Sequence, residues 1–188
     1  EKIKKKIIEP TLKALKKMGH PYKGFLYAGL MIKKNEPYLI EYNIRMGDPE
    51  CQVLMMRLKT SLVDVVKSVI NDSLENLKID WRDNRCMTIV LCSKGYPGKY
   101  TKNSEIKNLD KLVMDENNQV FHAGTYEKDK KIFSNGGRVL NITSAEKSLA
   151  LTRNKCLDNL KILNWNNGFF RKDIGWRVIK KNNEDNRR

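Results

Sequence analysis

The residues best suited to chemistry lie in the run Tyr38-Leu-Ile-Glu-Tyr-Asn-Ile-Arg-Met-Gly-Asp-Pro-Glu50. Its first half alternates in the manner of a strand, where successive side chains point to opposite faces. An extended backbone would put Glu41, Asn43 and Arg45 on one face, with Ile40, Tyr42 and Ile44 on the other. A carboxylate and a carboxamide oxygen are hard ligands, suited to a divalent cation that bridges phosphate oxygens. The guanidinium beside them would neutralise charge developing on a transferred phosphoryl group. Each has a plainer alternative: Glu41 and Asn43 as a solvated strand face, Arg45 as a surface partner of Asp48 or Glu50. Asp48 reads equally as a helix N-cap or as a contact to an amine substrate. Gly47 permits a tight turn, and Pro49 suits the first position of a helix.

Further candidates lie downstream. Gly95-Tyr-Pro-Gly98 is a turn by its chemistry, or a loop lining a substrate pocket. Asn135-Gly-Gly-Arg138 reads as a type I′ hairpin turn, or as backbone amides and a guanidinium that grip a phosphate. His122, flanked by apolar residues, reads as a satisfied structural histidine, with catalysis as the alternative. Lys172, Asp173 and Arg177 form either a surface ion-pair set or part of a cleft.

The elements needed to position these groups follow from periodicity and breakers. Residues 2–18 read as a basic amphipathic helix with Ile8, Leu12 and Leu15 on one stripe, kinked at Pro10 and stopped by Gly19-His-Pro21. Strands are expected over 24–33 and 38–45, joined as a hairpin. One helix is expected from Pro49 to about Val69, burying Val53, Leu54, Leu58, Leu62, Val65 and Val69. The polar stretch 71–85 marks a boundary. Beyond it come a strand at Cys86–Cys92, short strands at 120–125, 131–133 and 138–141, and a capping box at Thr143-Ser-Ala-Glu146. That box opens a helix to about Ile162 with an inner stripe of Leu149, Cys156, Leu160 and Leu163.

Composition narrows the function classes. The 188 residues suffice for one or two cored domains. No run approaches the length of a membrane span. A net charge of +15 raises polyanions as partners, but the lysines are scattered and no aromatic stacking platform interleaves them. A basic nucleic-acid module would also leave Glu41–Glu50 unexplained. Cys51, Cys86, Cys92 and Cys156 include no Cys-x-x-Cys pair and read as buried thiols in a reducing compartment. Asn141-Ile-Thr143 is an accidental glycosylation sequon.

Glu41-Tyr-Asn-Ile-Arg-Met-Gly-Asp-Pro-Glu-Cys-Gln52 resembles the signature of the phosphoribosylamine–glycine ligase family, ATP-grasp enzymes of purine synthesis. Pro21–Met31, Gly95–Gly98, Val120–Thr125, Asn135–Leu140 and Arg171–Arg177 are similar to further family segments, in order. The resemblance implies an α+β chain. Residues 1–75 would end an ATP-grasp large lobe of antiparallel strands and helices. Residues 76–180 would form a small mixed, β-rich C-terminal domain with a packed helix, and 181–188 a disordered charged tail. It also implies ATP-dependent ligation of glycine to 5-phosphoribosylamine through glycyl phosphate. Glu41 and Asn43 would bind Mg²⁺ (or Mn²⁺), and with Arg45 the ATP; Arg45 and Asp48 would be catalytic. Gly95, Tyr96, Pro97, Gly98, Gly136, Gly137 and Arg138 would contact substrate. The family's expected setting is a cytoplasmic monomer acting on small molecules, without nucleic acid or membrane. Residues 25–32 lack the additional acidic metal ligand that many ATP-grasp members carry. The chain is expected to be a fragment, inactive alone; the alternative is a non-catalytic remnant, or a subunit that needs a separate ATP-binding part.

Overall fold

The computed structural model describes residues 1–179; the tail expected at 181–188 lies outside the described residues. The chain divides into two compact units, Glu1–Glu50 with Lys59–Asp80, and Cys51–Leu58 with Trp81 onward.

The first unit opens with a π-helical stretch, Lys4–Ile8, that passes into α1, Glu9–Lys17. The irregularity falls just before Pro10, whose ring cannot follow a regular preceding turn. Ile7 is the buried contact of this segment; Ile8, Leu12 and Leu15, the expected stripe, are only half-buried. Strands β1 (Tyr27–Lys33) and β2 (Glu36–Asn43) pair antiparallel. Lys34 and Asn35 both take positive φ, 50° and 61°, which a type I′ two-residue hairpin requires. Thr11 Oγ1 lies 2.6 Å from Tyr42 Oη, and Tyr42 also donates to the Ile7 carbonyl at 3.2 Å, tying the N-terminal helix to β2. Lys2 and Lys6 both grip Glu36, the latter at 2.8 Å.

The single helix expected over 49–69 is two helices: α2 (Glu50–Arg57) and α3 (Leu62–Ile70). The backbone between them bonds elsewhere. Lys59 N–H donates to the Asp80 carbonyl, Asp80 N–H donates to Thr60 Oγ1, and Ser61 caps α3 by accepting from Asp64 N–H. Leu54 and Leu62, expected inside, are therefore 38% and 36% exposed, and the buried residues are Met56 and Val65. Pro49 precedes α2, after a cis Asp48–Pro49 bond, instead of starting it.

The second unit is built on a four-stranded antiparallel sheet in the order β5 (Asn118–His122), β8 (Arg138–Glu146), β3 (Arg85–Ser93), β9 (Gly168–Phe169). A three-stranded sheet runs β4 (Glu105–Ile106), β7 (Lys131–Ser134), β6 (Thr125–Lys128). Alternate β3 residues Met87, Ile89 and Leu91 are buried, and helix α4 (Leu149–Ile162) packs there through Cys156 and Leu160. The strand expected over 120–125 breaks at Ala123-Gly124, because its halves enter different sheets. Asn135-Gly136 is for the same reason a passage between sheets and no hairpin; the tight turn is Asp129-Lys130, with φ of 52° and 59°. Thr143–Glu146, read as a capping box, continues β8, where Thr143 pairs with Thr88 and Gln119. The α4 cap is Ser148, which accepts from Leu151 N–H. Asn141 sits 1% exposed in the central strand, so its sequon is closed to a glycan.

Only Cys156 is fully buried; Cys51, Cys86 and Cys92 are half-buried, against expectation. Burial, with a smaller contribution from Cys156, pushes the Cys86 thiol up to about 11, which keeps it protonated and unreactive at neutral pH.

Leu140, wholly enclosed by this core, should cost about 2–5 kcal/mol of unfolding free energy on change to alanine. Ser148→Ala should cost about 1 kcal/mol. Urea melts check the order; a cap loss equal to the core loss would refute it. Hydrogen bonds from Lys2 and Lys6 hold the Glu36 carboxyl down at about 2, below its ordinary 4.5. A depressed carboxyl supports the folded state above its unfolded pKa and loses that support as pH falls through the folded one. A carboxyl ¹³C titration should therefore place the Glu36 midpoint near 2, and a midpoint near 4.5 would show that the two lysines do not hold it.

Candidate functional site

In the first unit, the side chains expected to bind metal come from the end of the β hairpin. Gly29 stands opposite Glu41 and Leu30 opposite Leu39, so Ile40 is an extra, unpaired residue. This bulge keeps Tyr27, Gly29, Glu41 and Asn43 on one face, with Ala28 and Tyr42 on the other. Asn43 Nδ2 donates to Glu41 Oε1 at 3.0 Å, which confirms the shared face. A Cβ at Gly29 would come 3.0 Å from Glu41 Cγ, so the glycine leaves room for the carboxylate.

Arg45 departs from expectation. The strand ends at Asn43, and Arg45 lies on the bend beyond it, with Nη1 donating to the Met46 carbonyl at 2.9 Å. Strand alternation therefore does not carry the guanidinium onto the face of Glu41 and Asn43. Ile40 and Ile44, expected together on the opposite face, are 64% and 79% exposed, whereas Tyr42 packs on the N-terminal helix. Asp48 lies in the turn ahead of α2.

Sequence reasoning missed two partners in this cluster. Tyr27 stands across from Asn43, and its Oη donates to Glu50 Oε1 at 3.0 Å. The hydrogen bond to Glu50, then burial, then the charges of Glu50 and Glu41 raise the Tyr27 phenol above its ordinary value. Gly47 is what allows this approach: a Cβ there would lie 2.5 Å from Glu50 Oε2 and 2.7 Å from the Tyr27 ring. The signal was available, since Gly47 and Glu50 belong to one turn, but Tyr27 is 23 residues away.

Glu41 and Asn43 offer two oxygen donors on one exposed face. Among the described residues, no group of three or more His, Cys, Asp or Glu side chains lies close enough to hold an ion. The pair suits a hard cation that takes its other ligands from phosphate and water, as Mg²⁺ does, and does not form a closed cage.

In the second unit, the glycine motifs come together. Tyr96 lies so close over Gly137 that a Cβ there would meet its ring at 2.0 Å. Ser93, at the end of β3, donates its N–H to the Gly137 carbonyl and its hydroxyl to that of Gly136, both at 2.8 Å. Gly124 and Gly136 touch where two chain passages cross between the sheets; a Cβ on Gly124 would fall 2.8 Å from Gly136 Cα. Gly95 has φ of 94° and no room for a side chain against the Lys99 carbonyl, and Tyr96–Pro97 is cis ahead of Gly98. Arg138 pairs with Cys92 in the ladder, and its charge opposes the upward push of burial on that thiol.

His122 is exposed at the end of β5, with Nδ1 2.8 Å from Thr125 Oγ1. It is hydrogen-bonded, as a structural histidine should be, but not buried. Asp173 forms a two-point ion pair with Arg171 at 2.7 and 3.0 Å, a surface arrangement in which the Lys172 side chain takes no part. Arg177 lies over the ring of Trp176.

Two stretches of the chain match families of known proteins. Residues 1–51 match the family model of the phosphoribosylglycinamide synthetase ATP-grasp (A) domain, and residues 86–177 that of its C domain. The phosphoribosylamine–glycine ligase of Brucella melitensis biotype 1 is 43% identical over 177 residues, covering 94% of this chain and 42% of that protein. The trifunctional purine biosynthetic protein adenosine-3 of Gallus gallus is 42% identical over 179 residues, 95% of this chain and 18% of its own length. A crystal structure of phosphoribosylamine–glycine ligase from Thermotoga maritima superposes with a TM-score of 0.72 at 32% identity, over 88% of this chain and 41% of that one. A mixed α/β chain with antiparallel sheets is thus shared with an enzyme that forms carbon–nitrogen bonds. The chain belongs to the phosphoribosylglycinamide synthetase (phosphoribosylamine–glycine ligase) family, and it spans about two-fifths of the length of the bacterial relatives it matches. No helix among the described residues is long and apolar enough to cross a membrane.

Gly47→Ala should separate Tyr27 from Glu50 and bring the Tyr27 phenol back down toward 10. Titration of ¹³Cζ-labelled tyrosine, assigned through Tyr27→Phe, reads this; an unmoved midpoint would mean that Gly47 does not set the contact.

Proposed function

We propose that this chain supplies the metal-bearing strand and part of the substrate site of an ATP-dependent ligation of glycine to 5-phosphoribosylamine. In this reading residues 1–75 are the end of an ATP-grasp large lobe, and residues 76–180 the ligase's C-terminal domain. The observation that carries it is the Glu41–Asn43 pair, held on one face opposite Gly29 and Tyr27 within the family's signature run.

Glu41 and Asn43 would hold Mg²⁺, which when bound supplies charge neutralisation at the nucleotide phosphates. The glycine carboxylate oxygen attacks the γ-phosphorus, the bond to the bridging oxygen breaks, and ADP leaves with the electron pair. The amine of phosphoribosylamine then attacks the acyl carbon of glycyl phosphate, loses a proton, and expels phosphate as the amide forms. Such transfers need positioning and electrostatics more than covalent help. Arg45 would stabilise the equatorial oxygens and then the departing phosphate, swinging from the bend after β2. Asp48 would face the amine substrate. The meeting of Gly95–Gly98 with Gly136–Arg138 supports a role in lining the phosphoribosylamine pocket, with Tyr96 and Pro97 shaping its wall.

In the complete ligase, Glu41→Ala and Arg45→Ala should each lower glycine-dependent ADP release by at least about a hundredfold. Near-normal turnover by either variant would overturn that residue's role. The chain by itself should show no turnover, and mixing it with a separately made ATP-binding part tests whether activity returns.

A further inference from the structure

The proposed reaction handles an amino acid that carries two opposite charges, yet only its carboxylate has been given a destination. The ammonium end needs an anion beside the phosphorylation site, and Glu41 is committed to the metal. Glu50 is the other carboxylate whose charge reaches the same phenol, that of Tyr27. Its geometry is built from both sides. Oε1 accepts from Tyr27 Oη at 3.0 Å, and Oε2 lies against Gly47, where even a methyl group would be 2.5 Å away. The described partner of Glu50 is therefore a neutral phenol, in a chain with 37 lysines and arginines. An exposed carboxylate that is oriented by a hydroxyl, and that no salt bridge among the described residues engages, suits a cationic group on a ligand.

We propose that Glu50, held by the Tyr27 hydroxyl, receives the substrate's ammonium group and so selects an α-amino acid over a plain carboxylate. Tyr27 acts as a positioning residue and Glu50 as a specificity-determining one. The inference rests on the ligation reading above and adds to it the basis of amino-acid recognition.

The test uses the complete ligase with two acyl substrates, glycine and glycolate, the latter bearing a hydroxyl in place of the ammonium. ADP release is followed for each. Glu50→Gln should raise the glycine KM by about tenfold to a hundredfold, the loss expected for one charge-assisted hydrogen bond. It should leave the ATP KM within about twofold and shrink the glycine-to-glycolate ratio of kcat/KM by a similar tenfold or more. Tyr27→Phe should move that ratio in the same direction by a few-fold, and it decides the matter if Glu50→Gln does not fold. An unmoved ratio in an active enzyme overturns this inference alone. A raised Mg²⁺ requirement with the glycine KM unchanged also overturns it, by making Glu50 a metal ligand. Absence of glycine-dependent ADP release from the unsubstituted ligase removes the ligation reading, and this inference with it.

Discussion

An offset of one residue in the pairing of β1 with β2 decides what the first unit can do. In a regular ladder, side-chain direction depends only on parity, so one inserted residue turns everything beyond it to the other face. Ile40 is that insertion, and after it Glu41 and Asn43 fall on the face of Tyr27 and Gly29. The absence of a side chain at Gly29 is the second half of the constraint, since any Cβ there would crowd the Glu41 stem. Carboxylate, carboxamide and phenol are thereby gathered at the end of one hairpin. The N-terminal helix braces the other face through Tyr42 and the hairpin turn through Glu36.

The second unit meets a different constraint, the crossing of two chain passages. Both β5 to β6 and β7 to β8 leave one sheet for the other, and they cross with Gly124 against Gly136. Backbones this close exclude side chains, which explains glycines at both positions without reference to a ligand. The Gly95–Gly98 loop arrives at the same place because Ser93 ties the end of β3 to the carbonyls of Gly136 and Gly137. The same residues thus meet a structural need and carry the substrate-facing role proposed for this loop cluster.

Elements that carry their own pattern were the legible ones. The β hairpin, the apolar β3 and the helix ending at Ile162 were legible because periodicity and turn chemistry act over a few neighbouring residues. Local pattern was overridden where backbone groups found distant partners. The helix predicted through residue 69 is interrupted because Asp80 competes for the backbone at Lys59 and Thr60. Thr143–Glu146 has the spacing of a capping box but forms ladder pairs on both sides, which outweigh a local cap. Arg45 lies two residues beyond Asn43, where strand pairing stops, so alternation no longer sets its direction.

By itself the sequence determined the residue types at the hairpin end and, through short-range periodicity, the hairpin, β3 and most of α4, while its ordered motifs carried the resemblance to the family. Tertiary structure decided which of those residues meet. The bulge at Ile40, the reach of Tyr27 to Glu50, the crossing at Gly124 and the joining of two glycine loops each depend on contacts between distant parts of the chain. No local periodicity records such contacts, because their free energy exists only once sheets and turns have brought those atoms within a few ångströms.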